Sequence, residues 1–177
     1  MTAVNAERIL VLVRHAPTAW NRDGLVMGQT DIPLDAMGRH EATTAAYTAG
    51  LQGMSIDGLF CSPMKRCVQT AEALGIVLDL ETQLVPGLKE RGWGSFEGQP
   101  KSERSHGSEA QGVEDLYDLT IRVAEALCWI GERATTPLIV THSGVIRVAL
   151  ARSGQSSDAR VPHLTPIRVR WKPTARK

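Results

Sequence analysis

No stretch of the sequence stays apolar long enough to cross a bilayer, and near its start Asn5, Glu7 and Arg8 interrupt any leader-like run. The expectation is a cytoplasmic protein with neither signal peptide nor transmembrane helix, and with no membrane partner. Cysteine is scarce. Cys61, Cys67 and Cys128 are odd in number and follow no zinc-like or redox-like spacing, so no disulfide framework is expected, and Cys61 and Cys128, in apolar company, read as small hydrophobes. Charge of one sign is missing as well: twenty Lys and Arg against nineteen Asp and Glu leave a net charge of +1. The one basic scatter, Arg168, Arg170, Lys172, Arg176 and Lys177, reads as a solvated terminus, and a nucleic-acid partner is not expected. There is no internal repeat, low-complexity tract or Pro/Gly-rich linker, so residues 1–177, 42% hydrophobic, are expected to form a single domain.

What is present is an alternation of short apolar runs with longer amphipathic ones. Strands are predicted over Ile9–Val13, Gly58–Cys61, Val77–Leu80, Leu138–Thr141 and Ile167–Trp171; the first and fourth are nearly continuous in apolar residues, as strands covered on both faces are. Helices are predicted over Gly38–Leu51, Met64–Leu74 with Gly75 as the stop, Val113–Ala134 and Gly144–Ala151. In the third helix Leu116, Leu119, Val123, Leu127 and Ile130 draw one core-facing stripe. This order argues for an α/β fold, a three-layer sandwich in which helices flank a central, mainly parallel sheet. The exposed edge of the C-terminal strand offers a place for a homodimer to pair.

In such sheets ligands gather beyond the carboxyl ends of the strands. Arg14 and His15 follow the first strand directly, Ser62 to Arg66 follow the second, and His142-Ser143-Gly144 follow Leu138–Thr141. Arginine offers a planar fork of donors to a phosphoryl group, and an imidazole with one unprotonated nitrogen can attack phosphorus. Any one of these cations alone would ordinarily decorate a surface or cap a helix. Their shared placement at strand ends points to one anion pocket, built from remote parts of the chain and without metal; the histidine spacings contain no pair of the kind zinc sites use.

The string Leu12-Val13-Arg14-His15-Ala16-Pro17-Thr18-Ala19-Trp20-Asn21 resembles the signature of the histidine phosphatase superfamily, which includes the cofactor-dependent phosphoglycerate mutases and many small phosphatases. Further similarities follow in family order: Gly28 to Leu34 with Gly38, Ser62 to Ala71, Leu88-Lys89-Glu90 with Trp93 to Gly98, and Val140 to Arg147. The resemblance implies a phosphoglycerate mutase-like fold in which His15 is the nucleophile, Arg14, Arg66 and His142 surround the transferred group, and Glu90 protonates the leaving oxygen. Thr18, Asn21, Gly28, Gln29 and Ser143 resemble positions near the substrate. Glu97, in the same loop as Glu90, is the competing acid.

Two residues depart from the family pattern. Ala16 stands where a Gly usually follows the nucleophile, and Ser143 where one often follows the second His. A positive φ at either place would cost about 1 kcal/mol or more. The resemblance implies a metal-independent phosphomonoesterase that needs no cofactor and acts on a small soluble phosphate ester through a phosphohistidine. Mutase-type transfer is the first alternative, weakened because only Gln99 to Gly112 separate the Glu-bearing loop from the next helix. A non-catalytic module that binds a phosphorylated ligand is the second. His106, in that polar stretch, reads as a surface histidine.

Overall fold

Along β1 (Arg8–Arg14) the apolar run is buried on both faces, with Leu10 and Leu12 in one core cluster and Val11 and Val13 in the other. Strand geometry turns successive side chains to opposite faces, so a run without polar interruption suits a strand in the middle of three layers. The computed structural model, which describes residues 7–105 and 111–172, places β1 in a five-stranded sheet of order β3-β2-β4-β1-β5. The other strands are β2 (Gly58–Cys61), β3 (Thr82–Leu84), β4 (Pro137–Thr141) and β5 (Ile167–Trp171). β1, β2, β3 and β4 are parallel, and β5 runs antiparallel beside β1.

Register does the positioning. Arg14 pairs with Thr141 and Cys61 with Val140, so the carboxyl ends of β1, β4 and β2 finish side by side at the centre of the sheet. Helices α2 (Ala36–Thr48) and α3 (Lys65–Leu78) cover the Val11 face through Ala46, Cys67, Ala71 and Leu74. Helices α4 (Leu116–Gly131) and α5 (Ser143–Arg152) cover the Leu10 face through Leu119, Val123, Leu127, Val145 and Ile146. A further turn, α1 (Ala19–Arg22), follows β1. Asp35 and Asp115 accept N–H bonds from Gly38 and Tyr117 at the starts of α2 and α4, caps of about 1 kcal/mol each.

Four expected strands are found; the third is not. Val77 lies in the last turn of α3, which continues through Gly75 and ends at Asp79 in the left-handed region (φ 53°). Glycine often ends helices, which is why the sequence suggests a stop at Gly75. Its real function is clearance: a Cβ there would lie 2.8 Å from the Leu80 carbonyl oxygen and 3.1 Å from Leu59 Cδ2 on β2. The third strand begins at Thr82 instead. The α4 stripe also holds from Leu119 onward, whereas Leu116 is exposed. Cys61 and Cys67 are buried and Cys128 half-buried, all as free thiols. On β5, the exposed Arg168 and Arg170 alternate with the buried Val169 and Trp171, while Asn5, His106, Arg176 and Lys177 lie outside the described residues.

Candidate active site

The end of β1 delivers His15 into the interior, where its ring is 3% exposed. Its backbone N–H still bonds the Thr141 carbonyl of β4, so the residue is fixed to the sheet as a strand residue would be. Its Nδ1 is 2.7 Å from the carbonyl oxygen of Ala16. A carbonyl can only accept, so Nδ1 carries the proton and Nε2 keeps a free lone pair. Burial, then the positive charge of Arg66, lower the His15 pKa well below the ordinary imidazole value, so the ring stays neutral at physiological pH.

Arg66, on the first turn of α3, is almost fully buried. Its Nη1 and Nη2 donate to the carbonyls of Thr30 (3.0 Å) and Gly28 (2.7 Å), which orient the fork. Arg14 donates through Nη1 to the Val161 carbonyl at 2.9 Å. Burial lowers both guanidinium pKa values, that of Arg14 to about 10, and both remain cations at neutral pH. Among the described residues, the Nε donors of Arg14 and Arg66 are buried without a protein partner. Unsatisfied buried donors cost stability, and here both sit on cations close enough to His15 to lower its pKa, an arrangement suited to an anion.

His142 follows β4 as the N-cap residue of α5 and is completely buried. Its ring centroid lies 5.3 Å from that of His15, edge on. Ser62 Oγ, at the end of β2, is 2.8 Å from its Nε2, and Cys67 Sγ is 3.4 Å from the same nitrogen. Burial, with Arg66 next, lowers its pKa well below the ordinary value. The four basic side chains expected from strand ends and the following helix thus share one location.

Glu90 and Glu97 are separated by their surroundings. The Glu97 carboxylate accepts from the backbone N–H groups of Gln29, Thr30 and Trp93 and from the Thr30 hydroxyl, tying two loops together. Burial pushes its pKa up, but these bonds outweigh it and hold the group below its ordinary value. Gly28 makes that lock possible: its φ is +53°, and a Cβ there would lie 2.0 Å from Glu97 Oε1. The Glu90 carboxylate instead lies at the start of α5, accepting from Gly144 N–H (3.2 Å), the Ser143 hydroxyl (3.3 Å) and Arg91 N–H. A Cβ on Gly144 would come 2.2 Å from Glu90 Oε1, so glycine keeps the carboxylate in place.

The remaining expected residues are held in hydrogen bonds of the surrounding loops. Thr18 is fully buried and caps α1; Asn21 closes the capping box by accepting from the Thr18 N–H. Gly28 accepts from Arg66, and the Gln29 amide donates to the Glu90 carbonyl at 3.1 Å. Neither Ala16 nor Ser143 has a positive φ, so the backbone cost that would follow from replacing glycine does not arise.

Three contributors were not foreseen. His163 stands beside His15, with ring centroids 5.4 Å apart and its Nδ1 2.6 Å from the His15 carbonyl oxygen. Burial, then the charge of Arg14, lower its pKa to about 4. It precedes an antiparallel strand, so its amino-terminal side reaches the end of the sheet that the other strands reach with their carboxyl sides. Arg122 of α4 is the second. It donates to the carbonyls of Gly87, Lys89 and Glu90, and grips Glu114 with two nitrogens at 2.5 and 2.8 Å. Ser62 is the third, its hydroxyl 2.8 Å from His142 Nε2.

A model of the histidine phosphatase superfamily, branch 1, matches residues 10–166. An uncharacterized phosphatase, PhoE, from Bacillus subtilis is 34% identical over 145 residues, covering 78% of this chain and 74% of the relative. A metal-independent phosphoserine phosphatase from Arabidopsis thaliana is 31% identical over 171 residues, covering 85% and 70%. Among solved structures, TTHB049 from Thermus thermophilus superposes with a TM-score of 0.72 at 31% identity, covering 92% of this chain and 94% of that one.

Proposed function

Since the chain belongs to the histidine phosphatase superfamily, we propose that it is a metal-independent phosphomonoesterase working through a phosphohistidine on His15. The observation that carries this reading is the His15 Nδ1–H bond to the Ala16 carbonyl, which commits the free lone pair to Nε2. That nitrogen attacks the phosphorus of a monoester, a P–N bond forms, and the P–O bond to the alcohol breaks. Arg14, Arg66 and the His142 ring spread the charge of the equatorial oxygens, the work that bound Mg²⁺ does in other phosphoryl-transfer sites. Glu90 gives its proton to the departing oxygen and the alcohol leaves. In the second half, Glu90 takes a proton from an entering water, whose oxygen attacks phosphorus; inorganic phosphate leaves and His15 is regenerated.

Two relatives matched over 70% or more of their own length carry phosphatase names, whereas a phosphoglycerate mutase from Dichelobacter nodosus is matched over only 39% of its length, which supports hydrolysis over mutase-type transfer. In this reading Glu97, with its carboxylate consumed by loop bonds, is structural, and Thr18, Asn21, Gly28 and Gln29 shape the pocket from behind. The test is phosphate release from an aryl phosphate in excess chelator, with protein quenched in alkaline detergent examined for a phosphoryl label that survives base and is removed by acid. Wild type should release phosphate and carry label, and His15→Ala should do neither, a loss of about a thousandfold or more. Undiminished label in His15→Ala would remove His15 as the acceptor.

A further inference from the structure

Beside the Glu90 carboxyl opens a cavity of about 500 Å³, within the range of pockets that take drug-sized molecules. It lies outside the phosphate cradle and meets it at Glu90, Ser143 and Gly144, where an ester's alcohol would depart. Its two sides differ in chemistry. One is apolar, formed by Leu116 and Leu119 of α4 and Val148 and Ala151 of α5. This accounts for Leu116, the stripe position left exposed by the packing of α4.

The other side is cationic. The cavity is lined by four arginines, Arg91, Arg104, Arg147 and Arg152, against one carboxylate, Glu90, in a protein whose net charge is only +1. The guanidinium carbons of Arg91 and Arg104 each sit 4.6 Å from the centre of the Trp93 ring. The Arg91 Nε donates to the Glu114 carbonyl and the Arg147 Nη1 to the Ser157 carbonyl. Carbonyl anchors orient these groups without neutralising them, and among the described residues none of Arg91, Arg104 and Arg147 is ion-paired with a carboxylate. Gathering like charges is unfavourable unless an anion offsets the repulsion.

We infer that the cavity holds the alcohol half of the substrate and selects monoesters whose alcohol carries a second anionic group on an apolar body. This rests on the phosphatase reading and narrows it from any small phosphate ester to a doubly anionic, amphiphilic one. The apolar body lies against Leu119 and Val148, and the second anion meets Arg104 and Arg147. A charged but short alcohol leaves the apolar wall wet, and a neutral aryl alcohol leaves the arginines without a counter-charge.

Two measurements test this, one of them independent of turnover. Calorimetry compares three non-hydrolysable ligands: 4-carboxybenzylphosphonate, its neutral 4-carbamoyl analogue, and the short 3-phosphonopropionate. The carboxybenzyl ligand should bind about tenfold or more tighter than either of the others, and the double variant Arg104→Gln/Arg147→Gln should lose its preference over the carbamoyl ligand. Equal binding of the carboxyl and carbamoyl ligands, a preference retained in the double variant, or no binding of any phosphonate overturns the inference. Hydrolysis of 4-carboxyphenyl and 4-carbamoylphenyl phosphates is read in parallel. Turnover of both with equal kcat/KM sinks the subsite and leaves the phosphatase reading standing. Preferential phosphonate binding with no hydrolysis of any ester does the reverse.

Discussion

At the scale of single residues, the site is held less by its reacting groups than by the carbonyls around them. Ala16 fixes the His15 tautomer, Thr30 and Gly28 orient Arg66, and Val161 holds Arg14. Arg122 reverses the pattern, with one guanidinium gathering the carbonyls of Gly87, Lys89 and Glu90 and so setting where the Glu90 side chain starts. In the proposed mechanism Arg122 is therefore a positioning residue. Arg122→Gln should lower kcat/KM for alkyl phosphates, which need a protonated leaving oxygen, by about tenfold, and for nitrophenyl phosphates much less. A merely structural role would slow both equally, so the slope of rate against leaving-group pKa decides the matter.

The residues legible in the sequence were those whose place follows from a strand end or the helix start beyond it: Arg14, His15, Arg66 and His142. His163 was not legible, because the rule that ligands gather at carboxyl ends overlooks the start of an antiparallel strand. Nor was Arg122, whose partners are main-chain oxygens and leave no mark in the choice of side chains. The different surroundings of Glu90 and Glu97 needed coordinates, since they turn on which carboxylate the backbone of Gln29, Thr30 and Trp93 surrounds.

Among elements, α3 shows how a glycine can mislead. Alanine favours a helix interior over glycine by about 1 kcal/mol, so Gly75→Ala judged by propensity alone should stabilise α3. The added methyl would instead press on the Leu80 carbonyl and on Leu59 of β2, and overpacking of this kind costs about 1–3 kcal/mol. The net expectation is a lower urea midpoint with an unchanged slope; a higher midpoint would show that α3 can shift off β2 freely. Periodicity located α4 and β1 well because burial dictates their patterns. It misplaced the third strand because Val77 to Leu80 are as apolar as a strand but complete the helix and its turn.

For the molecule as a whole, the buried imidazoles link stability to pH. His15 and His142 have pKa values well below the ordinary one, and His163 is near 4, whereas unfolded imidazoles titrate near 6.5. Below about pH 6.5 the unfolded chain therefore binds more protons than the native one, so native stability rises with pH across this window and is lost as pH falls. The loss continues until the folded pKa values are reached, near 4 for His163, at up to about 1.4 kcal/mol per pH unit for each group involved. Melting temperatures measured from pH 7.5 down to pH 5, above the range where Glu97 and Glu114 titrate, should fall progressively below pH 6.5. A flat profile would show that these rings accept protons without opening the fold.

Because β5 pairs with β1 and brings His163 to the His15 carbonyl, two strands far apart in the chain must meet before His15 has its full surroundings. During synthesis β1 has to wait for β5 to emerge. In the proposed mechanism a polypeptide that stops short of β5 would lack the ring that braces the His15 carbonyl, and competence would arrive only with the closing of the sheet.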